Sequence, residues 1–402
     1  FIFINSAMNT YKTVGCVAPF SSLFINPNGQ AFPCCIYNYS KFKSIKETKD
    51  QNWNFDHINK EIRQEFIEKG TDIKTYDNCF GCSSNLNSGQ YLQHNLEANA
   101  DINYVQTPTL TNLHLKFSNQ CNLACRICES GCSNLLYTED LLLVENKIRS
   151  DTSPTSDSSL NQDSVLFKSF KDNLHNLNIL YLSGGEPLLH DAVWDLLKAA
   201  NDQGCSKNIT LKFNTNGTVK LNQEKYNILK SFKKVNMFVS MDGIGKHAEY
   251  IRTNVNWDRW IENLRAYKEE FKSHMNLFVG IVVTVSVYNI HIIDQIFAFF
   301  NSEAMSFSLN YVHSPLELSI YNLREDVKEY IIDKYTNALK GNHDHNYLYN
   351  EIIEFIKNPN TIDHNLVHDF IDKKDDVVIA NNLYKNYRRF RDVDPEWYAM
   401  LK

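Results

Sequence analysis

From about residue 111 to residue 312 the chain repeats one pattern: a short apolar run, then a segment with helical spacing. The runs Leu113–Phe117, Leu177–Leu182, Ile209–Phe213, Val235–Ser240, Leu277–Val285 and Ser306–Tyr311 read as strands. Between them Cys132–Ile148, Asp191–Ala200, Gln223–Phe232, Trp257–Phe271 and Ile290–Phe300 read as helices. Parallel strands need a crossover connection, so this alternation implies βαβ units and a parallel sheet. Leu277–Val285 is apolar almost throughout, as a strand covered on both faces should be. Six units are short of the eight that close a full barrel. The expected fold is α/β, a partial (β/α)6 TIM-type barrel, with a doubly wound open sheet as the competing arrangement.

The flanks differ in character. Residues 13–110 are punctuated by cysteines, residues 111–312 carry the barrel pattern, and residues 313–402 read as a charged helical extension. In the first part Leu23–Ile25, the turn Asn26-Pro27-Asn28-Gly29 and Ala31-Phe32 read as a hairpin, and Ile58–Lys69 as a helix. Ser150–Ser164, rich in Ser, Asp and Thr, reads as a solvated loop. With 402 residues, 43% hydrophobic and 22% charged, the chain is long and apolar enough for a folded protein of two domains, or of one large domain with an appendage. A net charge of −6 argues against bulk nucleic-acid binding. The basic run Lys385, Arg388, Arg389 and Arg391, with Tyr384, Tyr387 and Phe390 among it, reads first as a solvated helix face and only second as an RNA contact. Leu277–Tyr288 is too short and broken to span a bilayer. Phe1–Ile4 lack the basic and apolar regions of a signal peptide, and Met8 is a candidate start. A cytoplasmic, reducing location is expected, which disfavours disulfides.

The ten cysteines then become ligand candidates. Cys16, Cys34, Cys35, Cys79 and Cys82 lie in the first quarter, Cys121, Cys125, Cys128 and Cys132 in one run, and Cys205 alone. Thiolates select zinc, copper(I) or iron–sulfur clusters. The segment CNLACRIC places Cys121, Cys125 and Cys128 directly after a barrel strand, where parallel barrels gather their active sites. Three thiolates on a [4Fe–4S] cube leave one iron open to a small molecule. The alternative is a zinc loop completed by Cys132 or a histidine. Cys132 and Cys205 otherwise read as small buried hydrophobes.

The CxxxCxxC segment resembles the signature of the radical SAM superfamily, with Ile127 where the family often has an aromatic residue. Gly184-Gly185-Glu186-Pro187 follows the second strand, where that family places a GGEP segment holding the amino group of S-adenosylmethionine (SAM). Asn214 and Asn216 end the third strand, Ser240 and Asp242 the fourth, and Arg252 follows. The resemblance implies that these polar groups bind the ribose and carboxylate of SAM, while Val282 and Val283 are candidates to pack on adenine or simply to be core. Cys16, Gly29, Cys34 and the pair Cys79 and Cys82 resemble the twitch and SPASM auxiliary modules of the same enzymes, placed here before the barrel. Those four cysteines could close a second [4Fe–4S] cluster or a zinc knuckle, with Cys35 pointing elsewhere.

What the resemblance implies is reductive cleavage of SAM to a 5′-deoxyadenosyl radical that abstracts hydrogen from a substrate. The electron would come from a donor such as flavodoxin or ferredoxin. A peptide or protein is the expected substrate. A small molecule such as a sugar and an RNA are the alternatives, and a non-enzymatic zinc protein is the reading from a different class.

Overall fold

A computed structural model of the chain describes residues 18–35, 55, 60–69, 108–149, 153–163, 165–341 and 346–402. Among them the strands are β1 (Ser22–Ile25), β2 (Ala31–Phe32), β3 (Asn112–Lys116), β4 (Ile179–Ser183), β5 (Thr210–Thr215), β6 (Lys234–Ser240), β7 (Leu277–Val285) and β8 (Ser306–Tyr311). All join one sheet in the order β2-β1-β3-β4-β5-β6-β7-β8. From β3 to β8 every pairing is parallel and strictly sequential. A doubly wound sheet would reverse direction at a switch point. The uninterrupted order is that of a partial barrel.

The strands follow from burial. Leu113 and Leu115 of β3, Leu180 and Leu182 of β4, and Leu211 and Phe213 of β5 are all at most 1% exposed. The outer helices follow from the 3.6-residue period. Trp257–Lys272 starts where the Asn256 side chain accepts from the Arg259 N–H at 2.9 Å, and it buries Trp260, Ile261, Leu264, Tyr267 and Phe271 on one stripe. Complete burial of each large apolar side chain contributes roughly 1.5–3 kcal/mol.

The N-terminal hairpin forms as expected, with Phe24 opposite Phe32 and Gly29 at φ +74° in the turn. Its outer side is not free. β1 runs parallel to β3, pairing Leu23 with Leu113 and Ile25 with Leu115, so the Cys-rich segment and the barrel share a sheet. Helix Lys60–Lys69 sends Arg63 to the Pro19 carbonyl at 3.0 Å.

One expected boundary needs correction. The helix expected to begin at Cys132 begins at Tyr137 (Tyr137–Glu145), after a 3₁₀ turn at Asn134–Leu136. The preceding residues are held elsewhere: Ser133 Oγ donates to the Leu123 carbonyl at 2.6 Å and the Asn134 N–H to Asn119 at 2.8 Å. The stretch 153–163 is a largely exposed loop, as expected, and it also touches the loop after β3. Asn119 Nδ2 donates to the Ser156 carbonyl, Asn119 Oδ1 accepts from the Ser158 N–H, and Ser118 bridges to Ser159. Its small polar residues clasp the loop that leaves β3. Two helices absent from the sequence reading, Val165–Asp172 and Gly245–Ile251, flank these regions.

Residues after 313 are helical, as expected: Glu325–Ala338, Asn346–Ile356, Asn365–Ala380, Phe390–Val393 and Pro395–Leu401. Tyr384 and Phe390 are buried and Tyr387 half-buried, while Lys385, Arg388 and Arg391 are exposed. The run is not the helix face expected: residues 384–389 lie in turns between Asn365–Ala380 and Phe390–Val393, with the aromatics packed inward and Lys385, Arg388 and Arg391 facing solvent. Among the described residues no helix is long and apolar enough to cross a membrane.

Candidate active site

The loop after β3 carries Cys121, Cys125 and Cys128. Its path is fixed by backbone bonds to the turn after helix Gly245–Ile251: Ala124 N–H to Thr253 at 3.0 Å and Arg126 N–H to Ile251 at 2.7 Å. Cys128 closes a turn onto the Cys125 carbonyl at 3.0 Å. Cys125 is buried and the other two are half-buried. Burial pushes the Cys121 thiol up to about 11. The neighbouring Cys125 thiol, then burial, pushes Cys128 up, while Arg252 works against it. Cys121 and Cys128 are thus held protonated without a cluster, and taking up iron on them must release protons.

Arg252 Nη1 is 4.0 Å from Cys125 Sγ, and the three thiols all act electrostatically on its guanidinium. Its Nη2 is 2.8 Å from Asp242 Oδ2, and the other Asp242 oxygen accepts from the Thr284 N–H at 2.7 Å. Asp242 is fully buried with both oxygens engaged. Arg252 Nε is buried without a partner, a donor left over for a ligand. A buried cation beside three thiols suits a cluster that brings three thiolates together.

The two glycines after β4 answer a packing demand. A Cβ on Gly184 would lie 2.4 Å from the Ser118 oxygen, and one on Gly185 1.9 Å from the Gln120 oxygen. Gly185 and Glu186 donate their N–H groups to those same carbonyls at 2.7 and 2.9 Å. What this segment can offer an ammonium group is therefore carbonyl oxygen. Glu186 is completely buried, and burial pushes its carboxyl up to about 7. Its oxygens accept from the Leu188 N–H, Thr215 Oγ1 and the Asn216 N–H, at 3.1, 2.9 and 2.6 Å, which ties the ends of β4 and β5 together.

Asn216 places Nδ2 2.8 Å from Asn122 Oδ1 and 3.6 Å from Cys121 Sγ. Asn214 accepts from Tyr181 at 3.1 Å, and Ser240 is half-buried at the end of β6. Val282 and Val283 are core residues of β7, at 7% and 0% exposure. Cys132 Sγ accepts from Lys116 Nζ at 3.3 Å, a polar engagement its reading as an inert hydrophobe missed. Cys205 is buried as expected, its thiol donating to the Ala200 carbonyl. Cys34 and Cys35 are half-buried at the hairpin's end, and Cys16, Cys79 and Cys82 lie outside the described residues.

Sequence reasoning missed what grips the loop from behind. Arg126, between two of the cysteines, is fully buried and pairs with Glu139 at 2.8 Å. Glu139 also meets Lys374 at 3.3 Å and accepts from Tyr384 at 2.9 Å, and Tyr387 lies under the Arg126 guanidinium at 5.2 Å. The C-terminal region thereby packs against the back of the cysteine loop.

Residues 115–287 match the radical SAM superfamily, and residues 16–83 match the SPASM iron–sulfur cluster-binding domain. No curated protein matches the chain. Among solved structures the chain is similar to native anSMEcpe with bound AdoMet, at 19% identity, covering 58% of this chain and 62% of that one, with a TM-score of 0.40. It is also similar to Streptococcus suis SuiB bound to precursor peptide SuiA, at 15% identity, covering 81% and 70%, with a TM-score of 0.36. The chain spans about three fifths of the length of the anSMEcpe chain it matches. A radical SAM domain binds a [4Fe–4S] cluster and SAM, and the preceding module indicates auxiliary iron–sulfur chemistry. These matches set aside the reading of a non-enzymatic zinc protein.

Proposed function

We propose that this chain, a radical SAM enzyme whose auxiliary iron–sulfur module precedes its barrel, modifies a peptide or protein by removing a hydrogen atom from an unreactive C–H bond. The observation that supports the chemistry is the gathering of Cys121, Cys125 and Cys128 around Arg252 where β3 and β6 end. The substrate class rests on the auxiliary module at residues 16–83. When bound, the cluster and SAM supply a 5′-deoxyadenosyl radical.

The chain's own residues hold and orient. Cys121, Cys125 and Cys128 hold the cluster. The carbonyls of Gly184 and Gly185 receive the SAM ammonium, and Arg252 the carboxylate through its spare donor. Asp242 is a positioning residue that fixes Arg252. Glu186 holds Asn216 beside the loop, where Asn216, Asn214 and Ser240 present polar groups to the ribose. Cys34, with Cys16, Cys79 and Cys82, holds the auxiliary cluster. An electron donor of the flavodoxin or ferredoxin type serves the reduction.

The test is 5′-deoxyadenosine formation by the reconstituted enzyme. Cys125→Ala should abolish it, and undiminished product from that variant would refute the assignment. Cys79→Ala should leave SAM cleavage and remove substrate turnover. About eight irons per chain would fit two cubes, and about four with one zinc would recast the N-terminal site. Product formation stimulated by sugars and not by any peptide, with no peptide mass change, would overturn the substrate class.

A further inference from the structure

Away from the cysteine loop, two histidines and an aspartate converge. His247 lies on helix Gly245–Ile251 after β6, His291 in the 3₁₀ turn Ile290–Ile292 after the neighbouring β7, and Asp394 just before the last helix, Pro395–Leu401. Both histidine Nε2 atoms approach the same atom, Asp394 Oδ2, at 2.7 and 2.6 Å. The three donor atoms lie within 4.8 Å of one another. The three side chains are 13–15% exposed, so the group is largely dehydrated yet reachable from solvent.

We propose that His247, His291 and Asp394 form a site for a divalent transition ion of the zinc type, which fastens the C-terminal helix to the barrel. Two neutral imidazoles and one carboxylate are a ligand set zinc accepts, with the fourth position open to water. An ion with bonds of about 2.0–2.1 Å would set tetrahedral ligand atoms about 3.3 Å apart. The present nitrogen–oxygen contacts need to open by roughly 0.6–0.7 Å to admit it. The pieces around the site are already fixed. His291 stacks on Trp397 with ring centroids 4.4 Å apart and planes at 12°. Trp397 Nε1 donates to the Val287 carbonyl at 2.7 Å. Asp394 Oδ1 caps the last helix by accepting from the Trp397 N–H, which leaves Oδ2 for the ion. His291 Nδ1 has no hydrogen-bond partner, so the stack and not a second acceptor sets the ring's orientation. The ligands are 44 and 103 residues apart along the chain, so no sequence motif announces them.

The test uses the holoenzyme with its iron–sulfur sites reconstituted, stripped of loosely bound metal and titrated with zinc alone. The expected result is one zinc per chain whose X-ray absorption shows nitrogen and oxygen neighbours near 2.0 Å with imidazole scattering and no sulfur near 2.3 Å. Asp394→Asn keeps a helix-capping oxygen and removes the charge, so it should fold and bind that zinc at least tenfold more weakly. His291→Gln should do the same. Bound zinc with a sulfur shell, no stoichiometric uptake by the unaltered enzyme, or equal affinity in Asp394→Asn would each overturn the proposal.

Discussion

Replacing Glu139 with glutamine should cost more than any other single-atom change behind the cysteine loop. Glu139 is fully buried and carries one negative charge against two buried cations, Arg126 at 2.8 Å and Lys374 at 3.3 Å. Burial by itself would raise its carboxyl, but the two cations outweigh burial and hold it at about 2. Relative to an ordinary glutamate, that depression corresponds to roughly 3 kcal/mol. Removing one member of a buried ion pair typically costs about 3–5 kcal/mol, because the remaining charge stays buried without compensation. The two routes agree on about 3–4 kcal/mol for Glu139→Gln. With a urea slope of about 3 kcal/mol/M or more for a chain of this size, the unfolding midpoint should fall by about 1 M. The assay is anaerobic urea unfolding of the holoenzyme followed by tryptophan fluorescence, with iron content measured on the same samples. Iron retention should fall too, since Arg126 sits inside the cysteine loop. A loss below about 1 kcal/mol would refute the reasoning. The triple variant Arg126→Met, Glu139→Leu, Lys374→Met should recover most of the stability, because apolar replacement of a whole buried ion group is often neutral.

The remaining predictions concern neighbouring features. The stabilisation from Glu139 is fully present above about pH 4.5 and lost as pH falls toward about 2, so acid unfolding of Glu139→Gln should lack that part of the slope. Gly185→Ala puts a Cβ 1.9 Å from the Gln120 backbone oxygen, which cannot swing away as a side chain could, and should cost about 1–3 kcal/mol or more with loss of bound iron; wild-type iron and midpoint would refute the packing account. Tyr384→Phe removes one neutral donor to Glu139 and should cost about 1–2 kcal/mol by the same unfolding assay, well short of the charge deletion.

The barrel was readable because its signal is local and repeated. Short apolar runs such as Leu177–Leu182 and stripes such as that of Trp257–Lys272 need no knowledge of distant residues. The cysteine loop was readable for the same reason, its ligands being four and three residues apart. What escaped is non-local. Glu139 and Lys374 are 235 positions apart, and Asp394 meets histidines more than 100 residues earlier. Composition gave the exposure of residues 153–163 but not their bonds to Asn119 and Asn134, which lie more than 20 positions earlier in the chain. The helix Gly245–Ile251 was hidden by the glycines at its start, Gly243 and Gly245, which normally punctuate turns. At Gly184 and Gly185 the residue type was noticed but its reason differed: the strand-end carbonyls of the cysteine loop occupy the space where a side chain would go.

The parallel pairing of β1 with β3 changes what shortening this protein would do. Judged by its cysteines, the N-terminal segment looks like an accessory that could be trimmed to leave a smaller catalytic core. In the folded chain it supplies the outermost parallel strand, and Leu113 and Leu115 beside it are at most 1% exposed. Cutting ahead of residue 111 would bare the hydrogen-bonding edge of β3 next to those leucines. An apolar, unpaired edge is a template for another chain. Truncated proteins should therefore precipitate or pair edge to edge before their chemistry could be measured, so a minimal enzyme would have to retain at least Ser22–Ile25 or replace it with a guarded strand.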